Sequence, residues 1–267
     1  MPRVFVTTSW DDEDRSGLKV AELLSRNRLP GTFYAPTGRL GHDPFFAADD
    51  LRTLSTAGFE IGAHTVSHAI LTGLGPEELT REIGECKTVL QQILGMQITM
   101  FCYPKGRFNT EVVRAVQRAG YRGARSTQML ASSSAFDRFA MPTTVQVYPH
   151  RRSNYVRNLV RLGAVRALLQ SVPDLVQFQD WLELGKAKFD RVLRKGGVWH
   201  LYGHPWEIEK FGLWAQLKEM LEYVSNRGGV QYVTNGQLLD VVRGDARTGA
   251  GKLTETDPQS VVHEQWH

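Results

Sequence analysis

Short runs rich in β-branched and aromatic residues alternate along most of the chain with longer runs in which apolar residues recur at helical spacing. The strand candidates are Val4–Ser9, Thr32–Ala35, Glu60–Thr65, Thr99–Tyr103, Gly123–Thr127, Thr144–Tyr148, Val198–His204 and Val230–Thr234. Between them lie helix candidates at Ser16–Asn27, Asp49–Ala57, Glu77–Leu94, Thr110–Ala119, Asn154–Gln170, Trp181–Arg194, Leu213–Asn226 and Gln237–Val242. Local signals support the boundaries: Pro76 precedes Glu77, Asn109 precedes Glu111, and Gly58, Gly95, Gly120, Gly196 and Gly228 stand just past helix ends. Seven or eight β-then-α units in about 240 residues predict an α/β fold, a distorted parallel (β/α) barrel in a single domain, residues 1–243.

An open doubly wound sheet is the rival architecture. Its GxGxxG phosphate turn is absent, because Trp10, Asp11, Asp12 and Glu13 occupy the turn after the first strand. No internal repeat and no Pro- or Ser-rich linker interrupts the pattern. From Gly244 onward the periodicity is lost among small and polar residues, which predicts a mobile tail over residues 244–267.

With 267 residues, 42% of them hydrophobic, the chain can bury a core without disulfides or a structural metal, which excludes disordered and fibrous classes. The longest stretch free of Asp, Glu, Lys and Arg runs from Thr88 to Pro104 and holds Gln91, Gln92 and Gln97, too polar for a membrane span. The N-terminal MPRVFVTTSWDD enters a strand with no apolar leader core, so a cytoplasmic location is expected. Cys86 and Cys102 are too few for a disulfide framework and are expected to be packed thiols. A net charge of +4 without a recognisable nucleic-acid motif argues against nucleic-acid partners. One local excess stands out: Arg151, Arg152, Arg157, Arg161 and Arg166 accompany Tyr155, Leu159, Leu162, Val165 and Leu169 at helical spacing. It reads either as the solvated face of a packed helix or as a basic surface that meets an anionic, lipid-linked substrate or a membrane.

In a parallel barrel the chemistry sits where strands end, and several of these ends are loaded. The first strand ends in Thr8-Ser9-Trp10-Asp11-Asp12, a carboxylate pair that could also cap the following helix. The third ends in His64-Thr65-Val66-Ser67-His68, whose four-residue spacing puts both imidazoles on one side of a helical turn. Gathered at one barrel end, Asp12, His64 and His68 offer two neutral nitrogens and a carboxylate, a set suited to zinc with open positions. The seventh strand carries His200 and His204 on one face but about 13 Å apart, too far to share an ion. His204 is therefore expected at the mouth as an acid or base, and His200 inside the barrel.

TSWDD, HTVSH, FCYPKG and GHPWE, in this order and separation, resemble the motifs of the polysaccharide deacetylase family of carbohydrate esterases, the chitooligosaccharide-deacetylase homology domain. The resemblance spans about residues 4–240. It implies a distorted (β/α) barrel of about seven strands, a divalent metal that is usually zinc, and hydrolysis of N- or O-acetyl groups on sugars. Some relatives cleave other C–N amides, cyclic ones included. Position by position, Asp11 resembles the family's general base, Asp12 its metal-binding carboxylate, His64 and His68 its metal-binding histidines, and His204 its general acid. Tyr103 lies in the segment whose backbone N–H helps hold the oxyanion. Asp180-Trp181 resembles the element that orients the acid histidine, although a helix N-cap explains Asp180 equally well. At Cys102 the chain departs from an arginine that pairs with the base; Arg125, at the end of the neighbouring strand, is the expected substitute.

The resemblance therefore implies a metal-dependent deacetylase acting on an acetylated sugar or glycan. An amidohydrolase acting on a non-sugar C–N bond and a non-catalytic carbohydrate-binding barrel are the alternatives. Trp10, Tyr34, Arg39, Tyr148, Trp199 and Trp206 are candidate sugar platforms or, equally, core packing.

Overall fold

The computed structural model describes residues 2–12, 14–161, 177–178 and 180–248. Its strands are β1 (Val4–Asp11), β2 (Thr32–Ala35), β3 (Glu60–Ala63), β4 (Met100–Cys102), β5 (Gly123–Arg125), β6 (Val145–Gln146), β7 (Gly197–Gly203) and β8 (Val230–Tyr232). They follow the order β5-β4-β3-β2-β1-β7-β6, with β8 paired to β1 off this path, and every pairing is parallel. The curled sheet is brought towards closure by a parallel bridge between Arg125 and Met141, which links β5 to the segment entering β6. This is the distorted (β/α) barrel that the strand-helix alternation predicts.

The distortion centres on β1. One of its edges pairs along its length with β7, from Val4 opposite Gly197 to Trp10 opposite Gly203. Its other edge is divided: β8 takes Val4–Val6 and β2 takes Ser9–Asp11. β1 is buried on every side, which explains why its sequence is so rich in β-branched and aromatic residues.

Side-chain alternation along β1 separates two environments. Val4, Val6 and Trp10 face outward into the large core shared with Val20 and Leu24 of helix Ser16–Arg26 and with Leu217 and Leu221 of helix Trp214–Val224. Phe5 faces inward, where Tyr34, Met100, Val198, Leu238 and Leu239 form an apolar floor. The next inward positions, Thr7 and Ser9, are polar and fully buried, and Asp11 follows them. Asn235 fills the shaft, donating to Thr7 Oγ1 at 2.8 Å and accepting from Tyr34 Oη at 2.9 Å.

Helix ends follow the sequence signals. Asn109 accepts from Val112 N–H, and Pro76 opens a helix that Gly95 closes in the left-handed region at φ +67°. Two differences in α-helix placement exceed two residues. A short helix, Pro205–Phe211, directly follows β7 and was not foreseen. The last helix, Asn235–Thr248, runs past the loss of periodicity at Gly244. Of the helix expected over Asn154–Gln170, the described part is Arg152–Arg161, and 162–170, like 249–267, lie outside the described residues.

His200 occupies the interior, with both nitrogens engaged. Its Nδ1 donates to the Pro142 carbonyl at 3.0 Å, and its Nε2 accepts from the Ser9 hydroxyl at 2.8 Å. Burial, reinforced by the Arg125 charge, pushes this imidazole down to about 3. The unfolded chain binds a proton near pH 6.5 that the folded chain refuses until about pH 3, so the stabilising contribution is whole above 6.5 and lost on acidification through this window. His200→Asn is therefore expected to flatten the acid-side slope of unfolding free energy by up to ~1.4 kcal/mol per pH unit, measured by denaturant titration between pH 7 and 4.

Candidate active site

Asp11 and Asp12 are neighbours in sequence, yet both face one cavity at the C-terminal end of the strands. Asp11 is the last residue of β1 and points inward by alternation. Continuing the strand would turn Asp12 outward; instead its backbone adopts the left-handed conformation, φ 61°. Thr65 and His68, in the loop after β3, are also left-handed, at φ 67° and 63°. Such non-glycine conformations cost of order 1 kcal/mol each and gather at functional sites. The loop is held by buried Glu82, which accepts from the Val66 and Ser67 N–H groups at 2.9 and 2.8 Å and from the Ser67 hydroxyl at 2.8 Å.

Three donors converge in this frame. Asp12 Oδ1 lies 3.1 Å from His68 Nε2 and 3.6 Å from His64 Nε2. It is buried and has no hydrogen-bond partner. His64 Nδ1 meets the Cys102 carbonyl at 2.8 Å; a carbonyl only accepts, so Nδ1 donates and Nε2 is the nitrogen turned to Asp12. Burial, with the His64 charge, pushes His68 down to about 4, which leaves it neutral. An unpartnered carboxylate oxygen facing two imidazole nitrogens fits a divalent cation.

Asp11 has a different partner. Arg125, completely buried at the end of β5, donates to Asp11 Oδ2 and lies 2.9 Å from Cys102 Sγ. Burial pushes the Asp11 carboxyl up, but the Arg125 guanidinium, followed by His64 and His204, outweighs it and holds the group down at about 2. Cys102 and Arg125 are register partners on adjacent strands, so the guanidinium reaches Asp11 across the small thiol side chain. Cys86 and Cys102 are both buried and free.

His204 follows β7, with Nε2 3.8 Å from Asp11 Oδ2 and 4.0 Å from Asp12 Oδ2. Its Nδ1 donates to Glu207 Oε2 at 2.6 Å. Burial favours the neutral ring, but Glu207, Asp11 and Asp12 outweigh it and push His204 above the usual histidine value. Behind Glu207, Gln146 Nε2 donates to its carboxylate at 3.2 Å, while Gln146 Oε1 accepts from Tyr202 Oη and His150 Nε2, both at 2.7 Å.

Two expectations are corrected. Asp180 does not orient His204: it is exposed and caps helix Trp181–Lys195 by accepting from Glu183 N–H at 2.8 Å. Glu207 takes the Nδ1 proton instead, because the helix beginning at Pro205 returns its third residue to the side chain that precedes it. Tyr103 does not offer its N–H to the cavity: that group donates to the Arg125 carbonyl at 3.3 Å, and the phenol donates to the Phe139 carbonyl at 2.9 Å. The residues of this turn that line the cavity are Lys105 and Arg107.

The cavity encloses ≈ 620 Å³. Of the candidate aromatic platforms, Trp10, Tyr34 and Trp199 are core, whereas Trp206, 38% exposed, lines the cavity. Glu82, Gln146 and His150 carried no sequence signal, since their roles arise from contacts between distant segments. Glu207 had a weak one, three residues after His204 and just inside a Pro-initiated helix.

Residues 2–124 match the family model described as polysaccharide deacetylase. The chain is 26% identical over 111 residues to the polysaccharide-deacetylase homologue YxkH of Bacillus subtilis (strain 168), covering 42% of this chain and 40% of that protein. It is 28% identical over 108 residues to the peptidoglycan-N-acetylmuramic acid deacetylase PdaA of the same strain, 39% of this chain and 38% of that one. The chain thus spans less than half the length of these curated relatives. Among solved structures, a polysaccharide-deacetylase homologue from Mycobacterium smegmatis aligns with TM-score 0.63 at 15% identity, covering 96% of this chain and 95% of that one. A family 4 acetyl xylan esterase from Clostridium thermocellum, in complex with a cobalt ion, aligns with TM-score 0.58 at 15% identity over 89% and 91%. At these identities the structures establish the shared fold. The part of the chain that is similar to the polysaccharide deacetylase family, residues 2–124, carries Asp11, Asp12, His64 and His68.

Proposed function

We propose that this chain is a metal-dependent hydrolase that removes the acetyl group from the nitrogen of an acetamido sugar or glycan. The observation that carries the reading is the unpartnered Asp12 oxygen facing His64 and His68, with Asp11 and His204 beside it in one cavity. Asp12, His64 and His68 would hold the ion, and their donor set suits zinc. A divalent ion there supplies Lewis-acid polarisation of the acyl oxygen and of the attacking water.

The remaining steps belong to the protein's own groups. Asp11, kept ionised by Arg125, accepts the proton of the attacking water. His204, held protonated by Glu207, delivers a proton to the departing nitrogen, which would otherwise leave as a strongly basic amide anion. The close approach of His204 Nε2 to Asp11 puts acceptor and donor within reach of one reacting carbonyl. Trp206 offers an exposed ring face for the sugar.

Asp11→Asn and His204→Ala are expected to retain bound metal and to lose turnover by about 10²-fold or more, whereas His64→Ala loses both. Metal analysis paired with acetate release from an acetamido sugar checks this; a fully active Asp11→Asn ends the proposal, and ammonia or an opened ring from amides without acetate favours the amidohydrolase alternative. The donor form of His204 exists below its raised value and is lost as pH climbs through it, so activity falls on the alkaline side. Glu207→Gln removes a carboxylate that favours the proton, and the alkaline limb of the kcat profile should move to lower pH with a fall in kcat of about tenfold.

A further inference from the structure

The carboxylates lining the cavity are committed to the candidate site, whereas three of its cations are not. Asp11 is engaged by Arg125 and Glu207 by His204, while Asp12 faces the two imidazoles with which it would hold the ion. Lys105, Arg107 and Arg157 line the same cavity, and among the described residues none of them pairs with a carboxylate. Arg157 donates to the neutral Asn154 Oδ1 at 3.0 Å.

These cations stand on built supports from two separate elements. Lys105 is left-handed, at φ 54°, and is followed by Gly106 at φ 62°. A Cβ on Gly106 would lie 1.9 Å from Thr127 Oγ1, so the turn is pressed against the segment after β5 and presents Lys105 and Arg107 from a fixed frame. Helix Arg152–Arg161 is tied to that segment through Asn158, which donates to the Thr127 carbonyl at 2.8 Å and accepts from Met129 N–H at 3.0 Å. Solvated surface cations need no partner, but three cations grouped on one side of a concavity focus their field on what enters there. Guanidinium forks match phosphoryl oxygens in geometry and in charge.

We infer that the substrate carries a phosphoryl or diphosphoryl group attached to the acetamido sugar, and that Lys105, Arg107 and Arg157 bind it. This rests on the deacetylase reading and adds the chemical class of the substrate. The anion docks on the turn after β4 and on helix Arg152–Arg161, while the amide reaches Asp11 and His204. The anionic group is either that of a soluble sugar phosphate or the linkage of a lipid-borne sugar.

The test compares acetate release by the metal-loaded 267-residue chain from N-acetylglucosamine, N-acetylglucosamine 1-phosphate and uridine diphosphate N-acetylglucosamine in solution, and from vesicles carrying a polyprenyl-phosphate N-acetylglucosamine. At least one phosphorylated probe is expected to exceed the neutral sugar tenfold or more in kcat/KM, with the advantage shrinking as salt is raised. The solution and vesicle arms identify which source is preferred. Lys105→Gln combined with Arg107→Gln, and Arg157→Gln separately, are expected to lower the ratio of phosphorylated to neutral kcat/KM at least tenfold, mainly through KM. Equal turnover of all probes, or a ratio unmoved by these substitutions in folded protein, overturns the inference and leaves the deacetylase reading standing. Calorimetric binding of the same probes to the Asp11→Asn protein decides the case in which no acetate appears. There, phosphate-dependent affinity that the Gln variants abolish supports the anion site although the deacetylase reading has failed, and its absence overturns both.

Discussion

A full negative charge sits inside the barrel because Arg125 meets Asp11 there. Burying either partner alone would be prohibitive, and an unpaired carboxyl at this depth would take up a proton. The pair ties the end of β5 to the end of β1, two strands with three others between them in the sheet. Chemistry and closure therefore rest on the same contact: Arg125, whose side chain neutralises Asp11, is also the residue bridged to Met141 at the seam.

Around this pair the interior changes character along one direction. Phe5 and its neighbours form an apolar floor, Thr7, Ser9, His200 and Asn235 satisfy one another above it, and the carboxylates and imidazoles occupy the open end. Each layer makes the next possible. The floor excludes water from below, and the middle layer supplies hydrogen bonds without net charge. The pocket then concentrates its charges where water and substrate can reach them.

Much of this was legible in the sequence because period and position carry it. Alternation along Val4–Asp11 marks a strand with two faces, and strand ends marked Asp11, Asp12, His64, His68 and His204 as neighbours. What could not be read depends on contacts between distant segments. The single-residue choice between Asp180 and Glu207 is set by how the helix at Pro205 leaves β7, and short-range pattern does not encode that exit. The splitting of one β1 edge between β2 and β8 is equally invisible, since both look like ordinary barrel strands. Tyr103 sits beside the site in sequence but spends its N–H on β5, a matter of ladder register.

The handedness of Asp12 has one more consequence. A strand alternates sides with each residue, so two consecutive acids can share a cavity only if the chain reverses its twist between them, as it does at φ 61°. Aspartate tolerates that conformation better than most side chains. The strand is accordingly a counting device: adding or deleting one residue in β1 just before Asp11 would send that carboxylate outward among the helices. The end of β1 is thus pinned by parity.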